Sequence, residues 1–360
     1  MHAVFLPPEH IEAVKAKAAA GEAPWAEAVA QLLAAGEAGL EQPPLSICQN
    51  GGGKYFRQDA VYVPGQDGVV NEASNRKSGA LARKLSTTCL DLAMCWRLTG
   101  EGRYADKALQ LAHAWCLDRA TYMFPEGRVD GPWTPGAEYG GDVVMFGSFQ
   151  GFFLACYLLD DYDGWEPRAH AATRRWIRAM VEPQRPTMFH AGVEMYNNWD
   201  DARCLYLLNG ALALDDLDLV IEVFERWAHT LPLKMTEEGF LPRETMRTRS
   251  MPYTLASLSH TLHIAHVAER FGAGLLDLSV NGKTIRHVVE TTAYYLLHMD
   301  QWPYQMIKPM SAEAPNARIG QAFEIAYRRW REATYLEVLN AWGGRPSARH
   351  TLLYASAHEA

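Results

Sequence analysis

The sequence predicts an all-α fold in which about twelve helices form successive antiparallel hairpins. Apolar residues recur at three- and four-residue steps along most of the chain, and convincing alternating strand patterns are absent. The predicted turns between successive helices are short. Helices paired in this way can close into a ring, so we expect an (α/α) toroid or barrel with long loops at its cleft.

The chain is long enough to bury a large core. It has 360 residues, of which 48% are hydrophobic, and toroidal and barrel folds commonly reach this length as one domain. No linker, low-complexity tract or strict internal repeat divides it. We therefore predict a single domain that spans residues 1–360.

Helical periodicity continues from one end of the chain to the other. The predicted helices cover about 9–20, 24–39, 78–99, 103–117, 143–160, 166–181, 199–214, 216–230, 253–271 and 283–299, with two more within 317–342. Two long irregular stretches, 40–77 and 122–142, interrupt this pattern. A loop that long inside a compact domain is usually functional or disordered.

Charge and hydropathy exclude several classes of partner. The net charge is −8 and the isoelectric point is near 5.9, so we expect no nucleic-acid partner, and an anionic ligand would need a local basic patch. No apolar run approaches ~18 residues, so we expect no membrane span. The first ten residues are too short and proline-rich for a signal peptide. The expected location is cytoplasmic, or periplasmic or secreted if a signal peptide was trimmed.

The cysteines and histidines show no metal-binding pattern. Cysteines fall mostly inside helical apolar runs and lack CxxC spacing, so we predict buried free thiols at Cys48, Cys89, Cys95, Cys116, Cys156 and Cys204. His260, His263 and His266 are spaced at i, i+3 and i+6, which drifts around a helix and lacks the HExxH pattern. We therefore predict no metal and no cofactor. The oligomeric state stays open.

A basic loop at 241–252 precedes one of the predicted helices. Pro252 fits the first turn of that helix, and Tyr253 follows directly. The loop carries three arginines, Arg243, Arg247 and Arg249. The positive end of the helix dipole suits an anion, and neighbouring guanidinium groups would lower the pKa of a phenol from ~10. The alternative is a solvated basic loop with a tyrosine packed beneath it.

A second polar segment, 190–204, precedes the helix predicted from Trp199. Either Asn197 or Asn198 could cap this helix. Two adjacent asparagines can also divide the work, so that one caps the helix and the other faces a cleft. His190 lies upstream, and a lone histidine is more often a hydrogen-bonded structural residue.

Three passages resemble the alginate-lyase-like polysaccharide lyases, families five and thirty-eight among them. The run RTRSMPY at 247–253 leads into an amphipathic helix that ends AERFG, residues 92–121 resemble the helical hairpin of these lyases, and 301–307 contain their Trp-Pro-Tyr turn. The resemblance covers roughly 24–307. It also implies that the segment 50–59 (NGGGKYFRQD) is a lid, although an ordinary glycine-rich surface loop is an equal alternative.

The resemblance implies roles for specific residues. In these families the segment at 247–253 carries a catalytic tyrosine and a nearby arginine. Tyr253, Asn198 and Arg247 are therefore the expected catalytic residues. The expected substrate-binding residues are Lys54, Tyr55, His190, Glu194, Asn197, Trp199 and Arg249.

One departure from the family pattern concerns a histidine. The family segment has two asparagines, then a histidine, then a tryptophan and a helix. Matching the asparagine pairs puts Trp199 at the histidine, and matching the tryptophans puts Tyr196 there. The histidine is missing from that place in either alignment.

The implied reaction is β-elimination at a 4-linked uronate in an anionic polysaccharide or oligosaccharide. It needs groups that neutralise the C5 carboxylate, a base for the C5 proton and an acid for the departing O4. Asn198 and Arg247 suit the first task, and Tyr253 suits the other two. One tyrosine can do both only when H5 and O4 share a face, as in mannuronate of alginate and in glucuronate of glucuronan.

Two other functions remain open from the sequence. An α/α-toroid glycoside hydrolase would use a carboxylate pair, for which Glu194 with Asp200 or Asp201 is the candidate. The arginines near Tyr253 argue against this reading, because a neutral sugar gives a guanidinium nothing to neutralise. The other alternative is a non-catalytic protein that binds uronate glycans.

Overall fold

A computed structural model describes residues 4–49, 53–56, 59, 61–125, 147–186, 188, 196–312 and 316–357. Within these ranges the regular structure is helical, apart from short 3-10 turns and isolated β-bridges. The α-helices in these ranges are α1 Pro8–Ala19, α2 Trp25–Leu40, α3 Lys77–Thr99, α4 Gly102–Cys116, α5 Gln150–Leu158, α6 Pro167–Val181, α7 Asn198–Leu214, α8 Leu217–Lys234, α9 Pro242–Thr245, α10 Ser250–Arg270, α11 Ile285–Leu297, α12 Ala317–Trp330, α13 Ala333–Ala341 and α14 His350–Tyr354. The prediction of an all-α chain is confirmed.

Most helices begin and end within a residue or two of their predicted bounds. One exception is α8, which continues to Lys234, past its predicted end near 230. α10 begins at Ser250, earlier than predicted, because Pro252 is tolerated inside the first turn, where its missing N–H costs no hydrogen bond. The predicted loop before it contains α9, whose four residues are too few to show a helical period. The short α14 was not predicted for the same reason. Residues 143–146, expected to begin a helix, lie outside the described ranges.

The chain divides into two compact units. The first comprises Leu32–Gly192 and Tyr206–Val220, and the second comprises Ala3–Gln31, Val193–Leu205 and Ile221–Ala360. The prediction of one domain over 1–360 stays a prediction.

The first unit is built on α3, which packs against α4 and α5. Its core is aromatic: Trp115, Phe149, Phe152 and Trp176 are buried and meet edge to face. The indole N–H of Trp176 donates to the Met123 carbonyl at 2.8 Å, so the one polar atom of that ring is satisfied.

The second unit is built on α10, which packs against α9, α11 and α12. Most residues of α10 are buried on all sides of the helix, which marks it as an interior helix and not an amphipathic surface one. Such a helix is held by neighbours around its circumference. A side chain in its first turn therefore has a well-defined position.

His263, His266 and most of the cysteines lie in the interior of the protein. His263 and His266 pack in the core of the second unit against Phe5 and Tyr354, and a ring nitrogen of His263 lies 2.8 Å from the Tyr354 hydroxyl. No cluster of ligands that could hold a metal occurs among the described residues. All six cysteines are free and five are buried, as predicted, whereas the prediction of a buried thiol is wrong for Cys48, which is half-buried. No helix in the described part of the chain is long and apolar enough to span a membrane.

Candidate active site

Tyr253 lies in the first turn of α10, with 9% of its surface exposed. The guanidinium carbon of Arg247 lies 4.1 Å from the centroid of the Tyr253 ring, within the range of a cation–π contact. Arg249 is the residue before α10, and its Nε atom is buried without a hydrogen bond to any described residue. The predicted proximity of a guanidinium group to the Tyr253 ring is thus observed for Arg247. Arg243 is exposed on α9.

The two asparagines at the start of α7 make different hydrogen bonds. The side-chain oxygen of Asn197 accepts a hydrogen bond from the Trp199 N–H at 3.0 Å, so Asn197 caps the helix. Asn198 is the first helical residue and is 7% exposed. Its side chain turns to α9, where its amide N–H donates to a Glu244 carboxylate oxygen.

Glu244 holds Asn198 through both of its oxygens. Its second oxygen accepts from the Asn198 backbone N–H at 2.6 Å, so a carboxylate meets the positive end of α7. Glu244 is 1% exposed, and this burial raises its pKa to about 7, against the opposing effects of the two Asn198 bonds and the Arg247 charge. The bond from the side chain fixes the orientation of the Asn198 amide, and the bond from the backbone N–H fixes the start of α7. The amide keeps one N–H and its carbonyl oxygen for other partners.

Buried ion pairs lie beneath these residues. Asp200 pairs with Arg203 and Arg226 at 3.2 Å each. Asp201 pairs with Lys234 and accepts a hydrogen bond from Ser257, which is one turn after Tyr253 on α10. Both carboxylates are therefore engaged in holding α7 against α8 and α10. Glu194, the predicted partner of either carboxylate in a hydrolase, lies outside the described residues.

Lys54 and Tyr55 belong to the first unit. The Lys54 ammonium donates to the Arg119 carbonyl at 2.6 Å, and the Tyr55 ring stacks on Phe124 at 5.2 Å between centroids. Tyr55 is 37% exposed, so it keeps a face for a ligand. The lid interpretation of this segment stays a prediction.

The structure brings Asn198, Glu244, Arg247 and Tyr253 into one continuous set of contacts within the second unit. Glu244 accepts hydrogen bonds from Asn198, and the Arg247 charge acts to lower the pKa of Glu244. Arg247 in turn lies over the Tyr253 ring. Trp199 is half-buried and contributes its backbone N–H to the cap. His190 and Glu194 lie outside the described residues, so their predicted roles stay predictions.

Sequence reasoning missed Glu244. Its only local signal is the spacing to Arg247, which puts a carboxylate and a guanidinium one helical turn apart. The contact with Asn198 joins residues 46 positions apart. No periodic pattern contains that information.

A sequence model of the family described as alginate lyase matches residues 13–302. The chain belongs to the alginate lyase family. This membership confirms the predicted enzyme class, a polysaccharide lyase. A comparison with curated proteins gives no match.

Solved structures of alginate lyases share the fold of this family member. An alginate lyase from Bacteroides ovatus aligns with a TM-score of 0.80 at 22% identity, over 98% of each chain. Alginate lyase A1-III from Sphingomonas species A1 aligns with a TM-score of 0.62 at 17% identity, over 87% of this chain and 84% of that one. A variant of A1-III complexed with a tetrasaccharide gives 0.63 at 16%, over 90% and 93%. The predicted α/α-toroid fold class is confirmed.

Proposed function

We propose that this lyase cleaves a β-1,4-linked uronate polymer, either mannuronate of alginate or glucuronate of glucuronan, by syn β-elimination, with Tyr253 as base and then acid. The observation that carries the proposal is the Arg247 guanidinium 4.1 Å from the centre of the Tyr253 ring. A positive charge at that distance stabilises the phenolate, which is the form that can take a proton. The first turn of α10 adds the positive end of a helix dipole.

The C5 carboxylate of the substrate must first be neutralised. The guanidinium of Arg247 and the remaining amide N–H of Asn198 are hydrogen-bond donors suited to a carboxylate. The first amide N–H of Asn198 donates to Glu244, and this bond fixes the orientation of the amide. An amide fixed in advance need not reorient as negative charge develops on the carboxylate.

The elimination then needs one proton transfer in each direction. The Tyr253 phenolate takes the proton from C5, the C5–H electron pair forms the C4–C5 double bond, and the C4–O4 bond breaks. The phenol returns its proton to O4. The products are one fragment with the unsaturated uronate at its new non-reducing end and a second fragment with a new reducing end, and the enzyme ends in its starting state.

The stereochemistry selects the substrate class. A single tyrosine can serve both atoms only if H5 and O4 lie on the same face of the ring, as in mannuronate and glucuronate. Guluronate, iduronate and galacturonate carry them on opposite faces and would need a second group. The absence of the family histidine from the Asn197–Trp199 segment favours the one-tyrosine route.

The buried ion pairs disfavour glycoside hydrolysis. A hydrolase needs one carboxyl group to protonate the leaving oxygen and a second to attack or activate water. Asp200 and Asp201 are each bonded to basic side chains inside the protein, at 2% and 4% exposure.

Lys54 and Tyr55 are proposed to contact a neighbouring sugar, with Lys54 directed at its carboxylate.

The proposal is tested by incubating the protein with polymannuronate, polyguluronate, glucuronan and a neutral glucan, while the ultraviolet absorbance of the unsaturated product is followed. A rise on polymannuronate or glucuronan, without a rise on polyguluronate, is the expected result. A rise on polyguluronate would contradict the one-tyrosine route. Reducing ends released from the neutral glucan without absorbance would indicate a hydrolase, and binding of uronate oligosaccharides without turnover would indicate a glycan-binding protein.

A further inference from the structure

The segment 302–307, which we call the strap, pairs with the linker between α9 and α10. Arg249 and Met306 form an antiparallel β-bridge. The Ile307 N–H donates to the Thr248 carbonyl at 2.9 Å, and the Ser250 N–H donates to the Gln305 carbonyl at 3.3 Å. The backbone just before α10 is thereby fixed on one side by hydrogen bonds from a distant part of the chain.

One serine joins the strap to the first residue of α10. Ser250 is fully buried, and its hydroxyl donates to the Gln305 carbonyl at 2.7 Å. The same hydroxyl accepts from the indole N–H of Trp302 at 2.7 Å. Both the donor and an acceptor site of this hydroxyl are used, and both bonds are part-buried.

The Trp302 ring lies in an aromatic cluster that also contacts the chain before α9. It contacts Tyr295 at 5.1 Å, Tyr304 at 5.2 Å and Phe240 at 6.1 Å between ring centroids. Phe240 is followed by Leu241, the residue directly before α9, so the cluster contacts the chain just before this helix. Through Ser250 the same cluster reaches the start of α10. The stretch 241–249 is thus held at both ends by one group of side chains.

We propose that Trp302 is a positioning residue for catalysis, which acts through Ser250 on the first turn of α10. This inference rests on the proposed function. Tyr253 follows Ser250 by one helical turn, and Arg247 lies in the stretch that the cluster holds. A loss of the indole bond would let the start of α10 shift relative to Glu244 and Asn198. A misplacement of about 1 Å can cost on the order of 100-fold in rate.

The positioning role is separable from a packing role. Trp302→Phe retains an aromatic ring in the cluster and removes the indole N–H, whereas Ser250→Ala removes the shared hydroxyl. Trp330→Phe is the matched control, because Trp330 is an aromatic residue of the same unit that contacts Tyr335 at 6.3 Å, away from the strap. Each variant, and the double variant of Trp302 and Ser250, is first checked for an unchanged cooperative thermal transition.

The kinetic test compares kcat with KM on the polymer that the wild type cleaves. We expect Trp302→Phe to lower kcat by about tenfold and to keep KM within about twofold of wild type. The reason is that Tyr253, which the substitution displaces, acts in the chemical step. Ser250→Ala should lower kcat at least as far, and adding Trp302→Phe to it should change little, since Ser250→Ala already removes the bond to the indole. Wild-type kcat in Trp302→Phe, or effects that multiply in the double variant, would overturn the proposal.

A second readout does not depend on activity. The Tyr253 N–H donates to the Arg249 carbonyl at 3.1 Å, so its hydrogen exchange reports opening of the first turn of α10. Exchange in the peptide covering 248–256 should be about tenfold faster in Trp302→Phe and Ser250→Ala and unchanged in Trp330→Phe. Unchanged exchange in Trp302→Phe would overturn the inference. A wild type that is inactive on every uronate polymer would instead refute the proposed function, and the exchange result would still decide whether Trp302 holds α10.

Discussion

Glu244→Gln is expected to remove a component of the protein's stability that depends on pH. Burial raises the pKa of Glu244 from 4.5 to about 7 in the folded state. Between these two values the unfolded chain releases its proton while the folded protein keeps it, so the folded state binds more protons. The unfolding free energy therefore falls as pH rises through this window, and the stabilisation is fully present below pH 4.5.

The magnitude follows from the shift. Each pKa unit corresponds to about 1.4 kcal/mol, so a rise from 4.5 to about 7 corresponds to about 3 kcal/mol between acid and neutral pH. Glu244 is 1% exposed, so solvent does not screen this effect substantially. A glutamine at this position cannot titrate. The difference in unfolding free energy, wild type minus Glu244→Gln, should therefore fall by about 3 kcal/mol from pH 4 to pH 8.

The assay is denaturant unfolding of both proteins at unit steps of pH from 4 to 8, in one salt concentration. Changes common to both proteins, such as those from the buried histidines, cancel in the difference. Glu225→Gln, at an exposed position on α8, controls for the removal of one carboxylate from the surface. A difference that stays flat, or that grows as pH rises, would refute the assignment of Glu244 as a buried acid with a raised pKa.

Two further changes test the site and its support. Asn198→Ala should lower kcat by about 10²- to 10³-fold, because one hydrogen-bond donor to the developing negative charge is lost. Initial rates of the rise in ultraviolet absorbance measure kcat. A kcat within about threefold of wild type would exclude a catalytic role for the Asn198 amide. Lys234→Met should destabilise the fold by about 3–5 kcal/mol, because it leaves the Asp201 carboxylate buried at 4% exposure without its cation. Denaturant unfolding measures that loss, and a change below about 1 kcal/mol would show that Asp201 is not held by this pair.

The helices could be predicted because their information is local. A helix of ten or more residues shows its apolar period in the sequence, and most of the predicted bounds hold to within a residue or two. The cap at Asn197 was also predictable, because the hydrogen bond to Trp199 N–H depends only on residues two positions apart. The four residues of α9 are too few for any period.

The candidate site was predictable only in part, because several of its contacts join distant residues. Tyr253 and Arg247 are six positions apart, and both were expected from the sequence to lie near the start of one helix. Glu244 and Asn198 meet across 46 positions, and nothing in either segment indicates the other. The pairing of Asp201 with Lys234 is equally non-local, which is why the sequence did not predict that this carboxylate is bonded to a buried cation.

The activity of Tyr253→Phe on the polymer that the wild type cleaves is the most direct test of elimination through Tyr253. Removing one hydroxyl removes both the base and the acid, so turnover should be abolished while the thermal transition and the affinity for uronate oligosaccharides stay close to wild type. Tyr162→Phe, whose hydroxyl bonds to Asp106 in the first unit, is the matched control and should keep full activity. Formation of unsaturated ends by Tyr253→Phe at a rate near that of wild type would contradict the role of Tyr253 as base and acid.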